Sequence, residues 1–473
     1  MNKQTRQSDI GMVGLGVMGR NFLLNMADHG FSCAGYDKDL AKVNSFHQEA
    51  EKRDIHDATD IEEFVALLRA PRAVMMLVPA GPPVDSVIED LLPHLENGDL
   101  IIDAGNSYFK DTDVRGRYLT KKGIHFLGVG VSGGEEGARH GPSIMPGGPK
   151  EAYERVRPVF EAAAANVNGD PCVTWLGPES AGHYVKMVHN GIEYGIMQLI
   201  AETYDLMKRG LGMDDDEIGA VYALWNKGEL NSYLVEITSH IFPRLDEKTG
   251  KRLLDEIVGV AKQTGTGMWT SQSAKELQVP IPTIDLAVAM RGMSGFTEER
   301  EQASAIYQPA GKKITSGHDA FLKQLGCAFY AAMIITYAQG MALLVVASAK
   351  YKYQLDLEAV ARIWRGGCII RAALLEDIRA AFRLKRDLPN LLLDPNLSQK
   401  VIEHQADLRQ VVSQAAASEI PAPALMSSLG YLDAYRSAWL PDNLIQAQRD
   451  YFGAHTYQRI DTKGTFHTIW EKP

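Results

Sequence analysis

The sequence predicts an α/β domain over residues 1–178, a large all-α domain with an internal duplication over 179–439, and a C-terminal tail over 440–473. Three observations lead there. Short apolar runs (Ile10–Val13, Ala73–Val78, Leu100–Asp103 and His125–Val129) alternate with helical or turn-rich stretches, the pattern of a parallel sheet wrapped by helices. After Gly177-Pro178 the character changes, and long helical patterns such as Ala181–Arg209 and Phe321–Ala349 dominate. Within that second part, Gly219–Trp225 aligns without gaps on Glu358–Trp364, and the same offset lays 181–207 on 320–346. Each copy reads as a long helix, an acidic turn and a Trp-bearing helix. The second copy lacks the polar face of the first and reads as structural. Beyond Leu440 the periodicity fades, and Gln446–Tyr457 is dense in cations and aromatics for a chain end.

Composition narrows the class. A chain of 473 residues, 45% apolar, forms several domains and buries a large core without covalent staples. Cys33, Cys172, Cys327 and Cys368 lie far apart with no CxxC pair, which suggests neither a metal site nor a disulfide framework. Reduced thiols and a polar N-terminus without an apolar signal core point to the cytoplasm. The most membrane-like run, Ala331–Ala349, contains Thr336, Tyr337 and Gln339 and reads as a buried helix, so no membrane is expected. A net charge of −10 argues against nucleic acid as a partner. An anionic substrate would therefore need a local basic pocket.

The first apolar run leads into Gly14-Leu-Gly16-Val17-Met18-Gly19, followed by the helical stretch Arg20–His29. A GxGxxG between a strand and a helix is the dinucleotide-binding signature of the Rossmann fold. Gly14 permits the tight turn, Gly16 lets the backbone approach the pyrophosphate, and Gly19 lets helix and strand pack closely. The phosphates sit at the helix N-terminus, where free N–H groups and the dipole favour negative charge. The next strand, Phe31–Tyr36, ends in Asp37-Lys38-Asp39. Asp37 stands where an acid hydrogen-bonds the ribose of NAD and repels the extra phosphate of NADP. Lys38 beside it would attract that phosphate.

The most informative stretch begins at Gly182. Lys186, His189, Asn190, Glu193 and Tyr194 recur at helical spacing and share one face, opposite Val185, Val188 and Ile192. Lys186 and Glu193 are two turns apart, about 10 Å of rise, and can act on different atoms of an elongated substrate. A lysine serves as a base only where burial or a cationic neighbour lowers its pKa, and a glutamate serves as an acid where an apolar setting keeps its proton. A plain solvated face is the competing reading. Asp103-Ala-Gly-Asn106-Ser107 and Val131-Ser132-Gly133-Gly134 each follow a strand, at the carboxyl edge where α/β sheets bind ligands. Gln263-Thr264-Gly265-Thr266-Gly267 forms a second glycine-rich loop, and Arg291 follows in a helical run.

Together these residues resemble the 6-phosphogluconate dehydrogenases, the decarboxylating enzymes of the pentose phosphate pathway. The resemblance spans nearly the whole chain and rests on GLGVMG, DAGNS, VSGGEEGARHGPSIMPGG, KMVHNGIEYG, WNKGEL and LIQAQRDYFGAHTY. It implies a homodimer in which the tail reaches the partner subunit, and a reaction that needs no metal. It assigns Lys186 as the general base at the substrate 3-hydroxyl and Glu193 as the acid that protonates C1 of the enediol. Asn106, Ser132, Gly133, Gly134, His189 and Asn190 resemble the groups that hold the carboxylate and hydroxyls. Tyr194, Arg291 and, from the other subunit, Arg449 and His455 resemble the phosphate clamp.

The chain departs from the family at three places. Asp37-Lys38-Asp39 replaces the usual Asn-Arg-Thr, whose arginine holds the NADP 2′-phosphate, and Val78-Pro79-Ala80 replaces Val-Lys-Ala. Both changes lean the cofactor from NADP toward NAD or dual use. Thr264 stands where the family offers a lysine to the substrate phosphate, and Lys262 is the nearest substitute. Two other readings stay open at this point. One is a dehydrogenase of a shorter β-hydroxyacid, which would have no use for Arg449 and His455. The other is a non-catalytic dinucleotide sensor, which would have no use for Lys186 and Glu193.

Overall fold

A computed structural model describes residues 7–50, 53–308, 313–314 and 317–470. Its first part is a seven-stranded sheet of β1 (Ile10–Val13), β2 (Cys33–Tyr36), β3 (Ile55–Ala58), β4 (Ala73–Met76), β5 (Leu100–Asp103), β6 (His125–Ser132) and β7 (Ser143–Gly147). The spatial order is β3-β2-β1-β4-β5-β6-β7. The first six strands run parallel, and β7 pairs antiparallel to β6. The order reverses between β1 and β4, so a crevice opens at the carboxyl ends of those two strands. Two strands escape the sequence reading. β3 is only partly buried and lacks an apolar run, and β7 (Ser-Ile-Met-Pro-Gly) carries a proline and a glycine.

The helical part is organised around two long helices, Ala181–Asp205 and His318–Tyr351, which pack on each other. The second is long and apolar enough to cross a membrane, yet 89% of its most apolar window is buried within the fold. It is covered by Pro395–Ala417 on one side and by Ala181–Asp205 on the other. Small residues bring the helices close: a Cβ on Gly340 would lie 2.5 Å from Ile192, and one on Gly195 2.6 Å from Thr336. The duplication is visible as repeated order. Each long helix is followed by an aspartate N-cap (Asp214, Asp356), a short helix (Asp215–Trp225, Leu357–Ile363) and a further helix (Tyr233–Ile241, Leu374–Leu384). The copies meet at equivalent points, where Tyr233 N donates to Arg371 O (3.0 Å) and Ala373 N to Asn231 O (2.9 Å).

Ala181–Asp205 also docks directly on the sheet, and glycine makes this possible. A Cβ on Gly182 would fall 2.2 Å from Met145 O and 2.4 Å from Gly128 O, and one on Gly130 2.4 Å from the Lys186 Cβ. A Cβ on Gly147 would fall 2.3 Å from Gly182 N. Helix backbone rests on strand backbone, and Lys186 emerges one turn beyond the contact.

The tail is ordered rather than extended. Asp442–Gly453 is a helix, and the segment after it folds back around the buried Asp450 carboxylate. That carboxylate accepts from Thr456 N (2.9 Å), Thr468 N (3.0 Å) and Trp470 Nε1 (2.9 Å). The outer face stays apolar: Leu444, Ile445, Phe452 and Ile469 are exposed.

Candidate active site

The dinucleotide crevice is a cavity of about 450 Å³ bordered by Gly14, Gly16, Asp37, Lys38, Val78 and Pro79. Each glycine of the loop meets its expected demand. Gly14 has φ +98°, and a Cβ there would lie 2.5 Å from Leu77 O. A Cβ on Gly19 would lie 1.9 Å from Gly14 O, whereas one on Gly16 would meet nothing within 4 Å. Gly16 thus faces open space at the N-terminus of the helix Val17–Asp28, which has no side-chain cap. That arrangement leaves N–H groups for an anion, and a pyrophosphate fits it. Val17 is exposed and Met18 half-buried at the same turn.

Asp37 has a double duty. Its carboxylate accepts from Leu15 N (2.9 Å) and Asp39 N (2.9 Å), bracing the glycine loop from the end of β2. Lys42 approaches it at 3.4 Å. Lys38 turns to Asp90 at 2.7 Å, and that ion pair raises its pKa. Val78 and Ala80 flank the exposed Pro79. Asn106 is exposed on the turn after β5, which Asp103 organises by accepting from Gly105 N (3.1 Å) and the Ser107 hydroxyl (2.6 Å).

The polar face of Ala181–Asp205 points inward, not to solvent. Lys186 and His189 are buried, Asn190 is buried, and Glu193 keeps 21% of its side chain exposed. Lys186 Nζ stands 3.4 Å from His189 Nδ1. Burial lowers the Lys186 pKa against the opposing pull of Glu193. Burial raises that of Glu193, partly offset by Lys186 and Arg291. Desolvation and the Lys186 charge hold His189 well below its ordinary value, so the ring is neutral. Its Nε2 lies 3.1 Å from the Ser132 hydroxyl and 2.8 Å from Cys368 Sγ. Burial pushes the Cys368 thiol up to about 12, so it keeps its proton. With the S–H donating to Nε2, Nδ1–H donates to the Asn190 amide oxygen at 3.0 Å.

Cys368 corrects the reading of the second repeat as structural only. The loop after its short helix enters the site: Ile369 N donates to the Ser132 hydroxyl (3.3 Å), and Gly367 O accepts from Ser143 N (2.7 Å). Gly133, at φ +119°, lies against Gly367, and Gly134 begins the next short helix. The only sequence signal is the pair Gly366-Gly367, which allows close backbone approach but names no partner.

A second cluster forms at the far end of the same face. The Arg291 guanidinium stacks 3.3 Å from the centre of the Tyr194 ring, and Gly267 makes room for that ring. Arg291 also donates to Lys262 O (3.4 Å), which places Lys262 beside it on an exposed loop with Thr264. Arg449 and His455 lie exposed on the tail, and Arg449 donates to Gln446 Oε1 (3.1 Å). Among the described residues, neither makes a hydrogen bond or ion pair with the Lys186 or Arg291 groups. The site is therefore an amine whose pKa is lowered by burial, a neutral imidazole and a carboxyl whose pKa is raised by burial, in a row that ends at a stacked arginine.

Comparison with known proteins identifies the family. The profile of the NAD binding domain of 6-phosphogluconate dehydrogenase matches residues 9–177, and that of the 6-phosphogluconate dehydrogenase C-terminal domain matches 182–470. The chain is 51% identical over 473 residues to the NADP(+)-dependent, decarboxylating 6-phosphogluconate dehydrogenase of Bacillus subtilis, covering 100% of both. It is 49% identical to the decarboxylating enzyme of Synechococcus elongatus, over 97% of this chain and 98% of that one. A solved Plasmodium falciparum 6-phosphogluconate dehydrogenase, described in apo form and in complex with NADP+ and with 6-phosphogluconate, superposes with a TM-score of 0.94. It is 42% identical, over 98% of this chain and 100% of that one. The chain belongs to the 6-phosphogluconate dehydrogenase family of decarboxylating oxidoreductases.

Proposed function

We propose that this chain converts 6-phosphogluconate to ribulose 5-phosphate and CO2, with hydride passing to NAD or NADP. The observation that carries the reading is the buried row Lys186–His189–Glu193, with the Arg291–Tyr194 stack at one end of its face, on a helix seated against the sheet that carries the dinucleotide crevice. Gly14, Gly16, Val17, Met18 and Gly19 would hold the pyrophosphate, and Asp37, Val78, Ala80 and Asn106 the nucleoside end and its surroundings. The bound nicotinamide supplies the acceptor for hydride from C3. Lys186, its pKa lowered by desolvation, takes the 3-hydroxyl proton. The resulting ketone accepts the electron pair of the C1–C2 bond as CO2 departs, and protonated Lys186 returns its proton to that oxygen to give the enediol. Glu193 then donates its proton to C1 of the enediol (the former C2) while Lys186 takes back the hydroxyl proton, leaving the product ketone. His189, Asn190, Asn106, Ser132 and the Gly133–Gly134 backbone hold the carboxylate and hydroxyls. Tyr194, Arg291 and Lys262, beside Thr264, face the phosphate, which needs convergent donors and positive charge.

The exposed apolar face of the tail supports a homodimer in which a second copy delivers Arg449 and His455 to the phosphate end. The division at residues 178 and 439 and a cytoplasmic location belong to the same reading. Asp37 at the ribose position, Pro79 and a Lys38 already paired to Asp90 favour NAD or dual use over strict NADP. Initial rates of nicotinamide reduction with 6-phosphogluconate, using NAD and NADP side by side, test both parts. Higher kcat/KM with NAD is expected. A strong NADP preference would overturn the cofactor reading, and no turnover with either would overturn the substrate.

A further inference from the structure

The helical domain carries a second constellation of chemically able side chains that the dehydrogenase reaction does not use. Cys327 lies on the helix His318–Tyr351, and His404 and Asp407 lie one turn apart on the packed helix Pro395–Ala417. All three are half-buried, and one ligand atom from each lies within 4.8 Å of the others. Glu229 approaches from the loop after Trp225, its carboxylate 3.6 Å from His404 Nε2. Edge contact with Tyr330 fixes the imidazole plane. A neighbouring cation, Lys400, is held by Asp377 (3.0 Å) and the Tyr330 hydroxyl (3.1 Å) and lies 3.7 Å from the other Glu229 oxygen. Cys327 and His404 border a cavity of about 490 Å³, so an ion has a route in and room for a water ligand.

We propose that Cys327, His404 and Asp407, with Glu229 or water in the fourth position, form a binding site for a divalent transition ion. The mixed sulfur, nitrogen and oxygen donor set is that of zinc. Tetrahedral bonds of about 2.0–2.3 Å place ligand atoms roughly 3.3–3.8 Å apart, so closure asks for about an ångström of side-chain adjustment on a rigid helix pair. On coordination the Cys327 thiol releases its proton to solvent and the ion accepts the thiolate pair, with no change of oxidation state. The bound ion staples the two core helices together, away from the Lys186 row.

The test uses tag-free, chelator-treated full-length protein. Titration with Zn2+ by calorimetry, and with Co2+ by absorbance, is expected to show one equivalent per chain and a thiolate-to-cobalt charge-transfer band. Cys327→Ser should abolish that band, and His404→Gln should weaken binding at least about tenfold. Zn2+ should raise the Tm of the wild type and leave that of Cys327→Ser unchanged, with turnover of the metal-free variant unaltered. Absence of binding, or equal affinity in Cys327→Ser, overturns the site. Should a variant fail to fold, alkylation of Cys327 in the wild type, read by mass spectrometry, decides the matter: Zn2+ is expected to protect the thiol, and an unprotected Cys327 overturns the site.

Discussion

Lys186 Nζ stands 3.4 Å from His189 Nδ1, one turn along the same helix and equally cut off from water. Neither ring nor amine carries a charge comfortably there, which keeps the amine able to accept a proton. Replacing Lys186 by Met removes that acceptor and keeps the volume. Turnover is expected to fall by at least about a hundredfold, with dinucleotide affinity retained, as measured by steady-state rates and fluorescence titration. A loss within tenfold, about 1.4 kcal/mol of barrier, would remove Lys186 from the base role.

The pH profile separates the two titrating partners. Lys186 works deprotonated, and its pKa is lowered, so activity rises with pH through that lowered value. Glu193 works protonated, and its pKa is raised, so activity falls as pH climbs and the carboxyl ionises. The wild-type kcat profile is expected to be bell-shaped. Glu193→Gln cannot lose a proton, so its slower residual rate should rise with pH and not fall again. An unchanged alkaline fall would show that another group donates the later proton.

Cys368 acts on His189 rather than on substrate, so its removal should separate position from packing. Cys368→Ala leaves Nε2 without its thiol donor and should lower kcat several-fold while shifting the acidic limb of the profile. Cys368→Ser keeps an O–H donor and should restore most of the rate. Equal defects in both variants would reduce Cys368 to a packing residue.

Asp37 is expected to govern cofactor choice through charge. Asp37→Asn retains an acceptor for Leu15 N but removes the negative charge. The ratio of kcat/KM for NADP over NAD should rise by about tenfold, or 1.4 kcal/mol. An unmoved ratio would place the discrimination elsewhere in the crevice.

Gly182 tests the seam between helix and sheet. A Cβ at that position meets backbone oxygens of Met145 and Gly128, which no rotamer change can relieve. Gly182→Ala should cost about 1–3 kcal/mol of stability by denaturant unfolding and also lower kcat, since the helix that carries Lys186 must lift.

Much of the fold and the site is legible in the sequence where the signals are local. GLGVMG identifies its own loop, and the spacing of Lys186, His189, Asn190 and Glu193 identifies their shared face. What stays hidden depends on contacts between distant segments. Cys368 lies beside His189 only after the second repeat folds back on the loop between β6 and β7. Cys327, His404 and Asp407 converge across two helices, so no CxxC-type spacing could reveal them. β3 and β7 escape a sequence reading because neighbouring strands and helices, rather than apolar runs, define them. Within one chain Arg449 donates to Gln446, and the sequence gives no contact by which its place relative to Arg291 could be read.

The backbone-on-backbone seat at Gly128, Gly130, Gly147 and Gly182 has a consequence for how this enzyme can change. With no compressible side-chain layer between them, sheet and helix behave as a single block. The gap between the Lys186 amine and the nucleotide crevice is thereby a property of the main chain. In the proposed reading, access and selectivity fall to the periphery, to the exposed loop around Lys262 and Thr264 and to the tail. New substrates or cofactors can be accommodated by exchanging those borders, while the spacing on which hydride and proton transfer depend stays as it is.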